Sequence, residues 1–226
     1  MNPKELTDAD LQAIFADEVF PTKPRRHQLV TLAWGFNLNR VALWHGIGVG
    51  KSLTALYLHQ LWSTRKLLVV CPNSVVGTWV EQCEEHLKIT PTILAGSRDE
   101  RRSALANGGP GIYVVNYEGL LPLFCNRVPY IDKLGKKRIK AVRDKKLIAA
   151  ANVDGLVSDE CHALCSEKAT QTKVFHDLSM RAKKTIIMTG TPVSTTEANL
   201  WAEYWCLDGG IALGRSKWNF LKTHFK

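Results

Sequence analysis

Six short apolar runs alternate with six longer amphipathic stretches, and this alternation narrows the possible folds more than any other feature of the chain. "RVALWH" (40–45) precedes "SLTALYLHQLW" (52–62), and "KLLVVC" (66–71) precedes "SVVGTWVEQCEEHL" (74–87). "TPTILAG" (90–96) precedes "RDERRSALAN" (98–107), and "GIYVVN" (111–116) precedes "YEGLLPLF" (117–124). "DGLVSDE" (154–160) precedes "TQTKVFHDLSMRA" (170–182), and "KTIIMTG" (184–190) precedes "EANLWAEYWCL" (197–207). Short runs without polar alternation suit strands covered on both faces. Repeated strand–helix units then build a mostly parallel sheet with helices on both faces, so the fold class is α/β.

Two segments stand outside this rhythm. Residues 1–22 predict an N-terminal helical extension. Thr7 or Asp8 can cap it, Leu11, Ile14 and Phe15 form its apolar stripe, and Pro21 and Pro24 end it. Residues 126–150 predict an irregular basic insertion within the main domain, 23–226. Between Lys133 and Lys146 lie eight Lys or Arg and one Asp, a net of +7. The whole chain of 226 residues carries +9, so the remainder sums to +2. A cation cluster of this density fits either a solvated face or a polyphosphate partner.

No apolar run is long enough to cross a bilayer, and "MNPKELTDADLQAIFADE" lacks the apolar core of a signal peptide. The expectation is a protein of the cytoplasm, or of the nucleus in a eukaryote, with no membrane partner. Six cysteines are scattered without a Cys-x-x-Cys pair, as expected of reduced thiols. Cys161, His162 and Cys165 resemble half a zinc site, but no second cluster completes it.

The chemistry gathers at two junctions. "WHGIGVGKS" (44–52) follows the first apolar run and opens the next helix. Gly46, Gly48 and Gly50 let a backbone approach a ligand closely, and amides at a helix start favour phosphate. Val49 lies between the last two glycines; Lys51 can reach the outer phosphates, and Ser52 can put its hydroxyl on Mg²⁺. A flexible Gly-rich turn is the plainer alternative. "GLVSDECH" supplies the acidic complement: Asp159 can hold the metal, and Glu160 can polarise a water.

With these residues in view, the chain resembles helicase superfamily 2. "SDECH" looks like a DEAH box with Cys161 in the alanine position, and "MTGTP" (188–192) resembles motif III. "PRRHQ" (24–28) is similar to the element before the phosphate loop, and "LLVVCPNSVVGTWVEQ" to motif Ia, with Pro72, Ser74 and Trp79 in place. "VVNYEGL" is similar to the next element, with Asn116 for the usual threonine. Trp79 and "NLWAEYWCLDGG" lean toward the SWI/SNF-like ATPases. The chain departs from that group at His45 and Gly46, where Asp-Glu is usual, and at Ser194 and Thr195, where Gln-Asn is usual.

The resemblance implies a RecA-like P-loop lobe that uses ATP and Mg²⁺. Lys51, Asp159 and Glu160 would be catalytic, with Ser52 and Asp159 on the metal. Arg25 and Gln28 would frame the adenine. His162, Thr189, Gly190 and Thr191 would couple nucleotide state to nucleic-acid grip, and Ser74, Asn116 and Thr191 would meet the strand. The family pairs two such lobes, and arginines of the second reach the γ-phosphate. The 226 residues are therefore expected to hydrolyse ATP poorly without a second lobe, in the full-length chain or in trans. The implied partner is double-stranded DNA. A non-enzymatic nucleic-acid-binding module, led by the basic run, is the competing reading. A small-molecule kinase would share the loop but needs neither the DEAH-like box nor "TGTP".

Overall fold

The computed structural model describes residues 5–192 and 197–225. Ser194 and Thr195 lie outside them. Six parallel strands form one sheet: β1 (Arg40–Leu43), β2 (Lys66–Cys71), β3 (Thr92–Ile93), β4 (Gly111–Asn116), β7 (Gly155–Asp159) and β8 (Lys184–Met188), in the spatial order β1-β8-β7-β2-β4-β3. Every apolar run of the sequence has become a strand of this sheet.

The strands divide the core in two. Successive side chains point to opposite faces, so Leu68, Val70, Tyr113, Val115, Leu156 and Ile187 serve one cluster. Leu67, Val69, Cys71, Ile112, Val114, Val157 and Ile186 serve the other. The first cluster packs α5 (Arg98–Asn107), α6 (Leu120–Phe124), α7 (Lys145–Ala150), α8 (Thr170–Arg181) and α9 (Glu197–Asp208). The second packs α2 (Arg26–Gly35), α3 (Lys51–Leu61) and α4 (Val76–Leu87). All six residues of β2 are buried. Each fully buried Val or Leu contributes about 1.5–3 kcal/mol, so β2 is apolar from Leu67 to Cys71, and its buried first residue, Lys66, donates its ammonium to the Leu105 carbonyl at 2.8 Å. A last helix, α10 (Lys217–His224), packs on α9 through Phe220 and Trp201.

Two expectations need correction. The first helix, α1 (Asp8–Ile14), is capped by Thr7 but stops well before Pro21. Asp17 and Glu18 are poor company for a helix C-terminus, and Phe15 turns to meet Phe20 edge-on at 5.7 Å. Leu11 of the expected stripe is buried, whereas Ile14 is exposed. The basic insertion is regular rather than irregular. It forms an antiparallel hairpin, β5 (Cys125–Ile131) with β6 (Lys137–Arg143), followed by α7. No helix among the described residues is long and apolar enough to cross a membrane.

Candidate functional site

Strand register gathers the sequence motifs. Leu43 pairs with Met188, and Met188 pairs with Asp159, so three strands end in one row. The glycine loop, "TGTP" and the acidic pair therefore leave the sheet side by side at its carboxyl edge, where open α/β sheets place ligands. On the other side of β7, Cys71 pairs with Asn116, bringing the segments after β2 and β4 to the same edge.

The loop from Trp44 to Gly50 joins β1 to α3. Gly48 and Gly50 have φ of 76° and 82°, left-handed values that other residues avoid. A Cβ on Gly46 or Gly48 would meet nothing, so the loop's outer side is open; a Cβ on Gly50 would collide with the Gln28 amide. The Lys51 ammonium donates to the carbonyls of His45 (3.1 Å) and Gly46 (3.0 Å), lying across the mouth of the loop. Ser52 is the second residue of α3.

Gln28 is buried and faces the loop. Its amide donates to the carbonyls of Val49 (3.3 Å) and Gly50 (3.2 Å), while its Oε1 accepts from the Arg25 N–H (2.8 Å). His27 Nε2 also lies 3.0 Å from the Val49 carbonyl. The carboxamide expected to frame adenine thus braces the phosphate loop, and the Arg25 side chain is exposed nearby. His45 is packed between Thr31 and His27. Desolvation, with His27 and Lys51 nearby, pushes its imidazole below the usual range.

The acidic pair is held by groups that sequence spacing did not assign to it. Asp159 accepts from the Trp79 indole N–H at 2.9 Å and from the Glu160 amide at 3.0 Å. Burial raises its carboxyl above the ordinary range, with the Trp79 bond and the Lys51 charge pulling the other way. A cation beside it would relieve that penalty, so the Asp159 carboxylate suits a divalent metal whose other ligands are phosphate and water; the described residues form no cage of three or more His, Cys, Asp or Glu. The Tyr117 hydroxyl donates to the Asp159 carbonyl (2.7 Å) and shares a hydrogen bond with Ser158 Oγ (2.7 Å). Only the "NYEG" resemblance hinted at Tyr117, and it hinted at no role.

Glu160 sits at φ 51°, a left-handed conformation that costs a non-glycine residue roughly 1–2 kcal/mol. That backbone turn directs its carboxylate to motif III. Oε2 accepts from Thr189 Oγ1 at 2.8 Å and lies 3.3 Å from His162 Nδ1. His162 Nδ1 is also 3.3 Å from Thr189 Oγ1, which in turn accepts from the Thr191 N–H at 3.1 Å. Gly190 backs onto the loop: a Cβ there would stand 2.8 Å from Ile47 and 3.7 Å from the Lys51 ammonium. All four expected coupling residues therefore touch one another or the loop.

Ser74 and Asn116 lie apart from this cluster, further along the same edge. Ser74 is exposed in the turn before α4. Asn116 caps the next turn through the Gly119 N–H (3.0 Å) and donates to Asn73 Oδ1 at 3.2 Å, tying the two segments together. Beneath the acidic pair, Cys161 donates to Glu203 of α9 at 3.4 Å. Glu203 is fully buried, and desolvation pushes its carboxyl up to about 7.

The sequence profile of the SNF2-related domain matches residues 27–218. Protein p41 of Acyrthosiphon pisum secondary endosymbiont phage 1 is 27% identical over 214 residues, covering 90% of this chain and 43% of that protein. A Caenorhabditis elegans homolog of SWI/SNF-related matrix-associated actin-dependent regulator of chromatin subfamily A-like protein 1 is 26% identical over 170 residues, covering 75% and 22%. The chain thus spans less than half the length of these relatives. In shape it is similar to the Sulfolobus solfataricus SWI2/SNF2 ATPase core in complex with dsDNA, with a TM-score of 0.68 and 21% identity over 90% of this chain and 39% of that one.

Proposed function

We propose, since the chain belongs to the SNF2-related domain family, that its SWI/SNF-type ATPase/helicase domain is the ATP-binding lobe of a DNA translocase that hydrolyses ATP when paired with a second RecA-like lobe. The observation that carries this reading is the single row made by Leu43, Met188 and Asp159, which sets the phosphate loop, the coupling threonine and the acidic pair against one another.

Each residue then has a task. Loop amides and the Lys51 ammonium hold the outer phosphates, and Lys51 exchanges its bonds to the His45 and Gly46 carbonyls for bonds to phosphate. Ser52 and Asp159 would hold Mg²⁺, which when bound would supply charge neutralisation for phosphoryl transfer. Glu160 orients the attacking water. Its bond to Thr189 makes that geometry depend on where motif III sits. Displacement of Thr191 on nucleic-acid contact then moves Thr189, and so Glu160. Gln28 senses the nucleotide indirectly, by bracing Val49 and Gly50. Ser74, Asn116 and Thr191 meet the sugar–phosphate backbone, as suits a motor that ignores base sequence.

Support against a passive binding module comes from the cost of the site. A buried carboxylate and a left-handed Glu160 are expensive features that a basic surface alone does not need. The test is ATP turnover with and without duplex DNA, for the wild type and Glu160→Gln, with a second lobe supplied or present in the longer protein. DNA-stimulated turnover that the substitution removes supports the proposal. DNA binding indifferent to nucleotide, with no turnover under any condition, favours the passive module.

A further inference from the structure

We propose that the β5–β6 hairpin is a separate nucleic-acid contact, a two-stranded ribbon that enters the major groove of duplex DNA and places its cations on the phosphates at both rims. The inference rests on the nucleic-acid reading above but uses residues to which that reading gives no role.

Charge is the first observation. Residues 125–143 hold seven Lys or Arg and one acid, Asp132. That acid is already engaged: it accepts from the Leu134 and Lys136 N–H groups at the turn, and its other oxygen pairs with Arg138 at 3.2 Å. Among the described residues, Lys133, Lys136, Lys137 and Lys140 have no carboxylate within ion-pair distance.

Shape is the second. Beyond Cys125, β5 is exposed along its length, and so is β6 until Arg143. A two-stranded hairpin with neither face covered is only marginally stable by itself in water. This one is clamped at its base, by Asn126 to Asp144 (2.8 Å) and by the Arg143–Asp177 ion pair. It therefore projects as a fixed arm. Seven residues at about 3.4 Å each give a ribbon of roughly 24 Å, and a major groove about 12 Å wide admits a two-stranded ribbon.

The distribution of charge favours a groove over a flat acidic protein. Val128 pairs with Lys140 and Tyr130 with Arg138 on one face; Ile131 pairs with Lys137 and Arg127 with Ala141 on the other. Both faces carry cations beside apolar groups, and neither is an unbroken apolar face of the kind that forms an interface core. Phosphates on two sides meet that arrangement.

The arm also joins the expected nucleic-acid edge. A Cβ on Gly119 would lie 2.8 Å from the Asn116 side chain and 2.9 Å from the Arg101 guanidinium. One turn away, Arg98 lines a cleft with Leu121, Pro122, Arg127, Ile139 and Ala141. A basic path therefore runs from Asn116 past Arg101 and Arg98 to the foot of the hairpin.

The experiment measures duplex-DNA affinity across a salt series for the full 226-residue chain and for Lys133→Ala/Lys136→Ala/Lys137→Ala/Lys140→Ala. Each lost phosphate contact flattens the slope of log affinity against log salt by about 0.9, so the expected change is about 3 to 4. Affinity near 0.1 M salt should fall at least tenfold, with an unchanged melting temperature. If the wild type binds duplex DNA and the variant matches its affinity and slope, the hairpin proposal is overturned while the nucleic-acid reading stands. An equal loss per charge from Arg65→Ala/Lys183→Ala, at the opposite edge of the sheet, also overturns it. No duplex binding by the wild type overturns both.

Discussion

Asp159 shows how much of the site depends on single side chains from distant parts of the chain. Its carboxylate is buried, and the Trp79 indole is its one side-chain donor among the described residues. Trp79→Phe keeps most of the ring's bulk and removes the N–H. A hydrogen bond to a charged group is worth about 1.5–3 kcal/mol, so losing it should raise the Asp159 carboxyl further. Metal binding needs the charged form. The acid limb of the pH–activity profile of the lobe pair should therefore move to higher pH in the variant, with activity at high pH less affected. An unmoved limb would mean that Trp79 only fills space. The gathering of Lys51, Ser52, Asp159 and Glu160 at one end of the sheet was legible in the sequence, because each follows an apolar strand-like run directly or across a short loop. The grips of Trp79 and Tyr117 were not, since they depend on how β2, β4 and β7 lie side by side. Nor was the inward turn of Gln28, which is set by the left-handed Gly50 beneath it.

At the scale of elements, buried strands were the most legible and the hairpin the least. A parallel strand covered on both faces is apolar along its middle, so "KLLVVC" and "GIYVVN" announce themselves. The hairpin buries neither face. Its pattern therefore reports charge rather than strand period, and a regular ribbon reads as irregular sequence. α9 carries another feature hidden from the sequence. Its Glu203 lies under the acidic box, bonded to Cys161, with Oε1 unpartnered. Burial lifts this carboxyl from about 4.5 to about 7. The sign follows: below about pH 4.5 it is protonated folded or unfolded and costs nothing. Between about 4.5 and 7 the unfolded state loses its proton first, so stability falls as pH rises, and above about 7 the full cost of order 3 kcal/mol is present. Glu203→Gln should melt about 5 °C or more above wild type at pH 8 and converge with it near pH 4.5. Thermal melts across that range check it, and equal melting temperatures at pH 8 would exclude a buried charge.

The molecule is built on one six-stranded sheet, whose carboxyl edge carries the glycine loop, the acidic pair and "TGTP". The glycine loop and motif III sit at β1 and β8, the acidic pair at β7, and Ser74 and Asn116, proposed to meet nucleic acid, after β2 and β4. Under the proposed function, the order of strands lays out a path from nucleotide to nucleic acid, with the Thr189–Glu160 hydrogen bond at the crossing. The alternation of runs made the α/β class legible; the lateral order β1-β8-β7-β2-β4-β3 was not, because crossovers leave no local mark on the sequence. We propose that the loop from Trp44 to Ser52 holds the phosphates of Mg-ATP. The most direct measurement is calorimetric titration of the chain with ATP, with and without Mg²⁺, for the wild type and Lys51→Ala. The account predicts Mg²⁺-dependent binding that weakens at least tenfold in the variant, with melting temperature retained. Binding that is absent in the wild type, or equal in the variant, would contradict it.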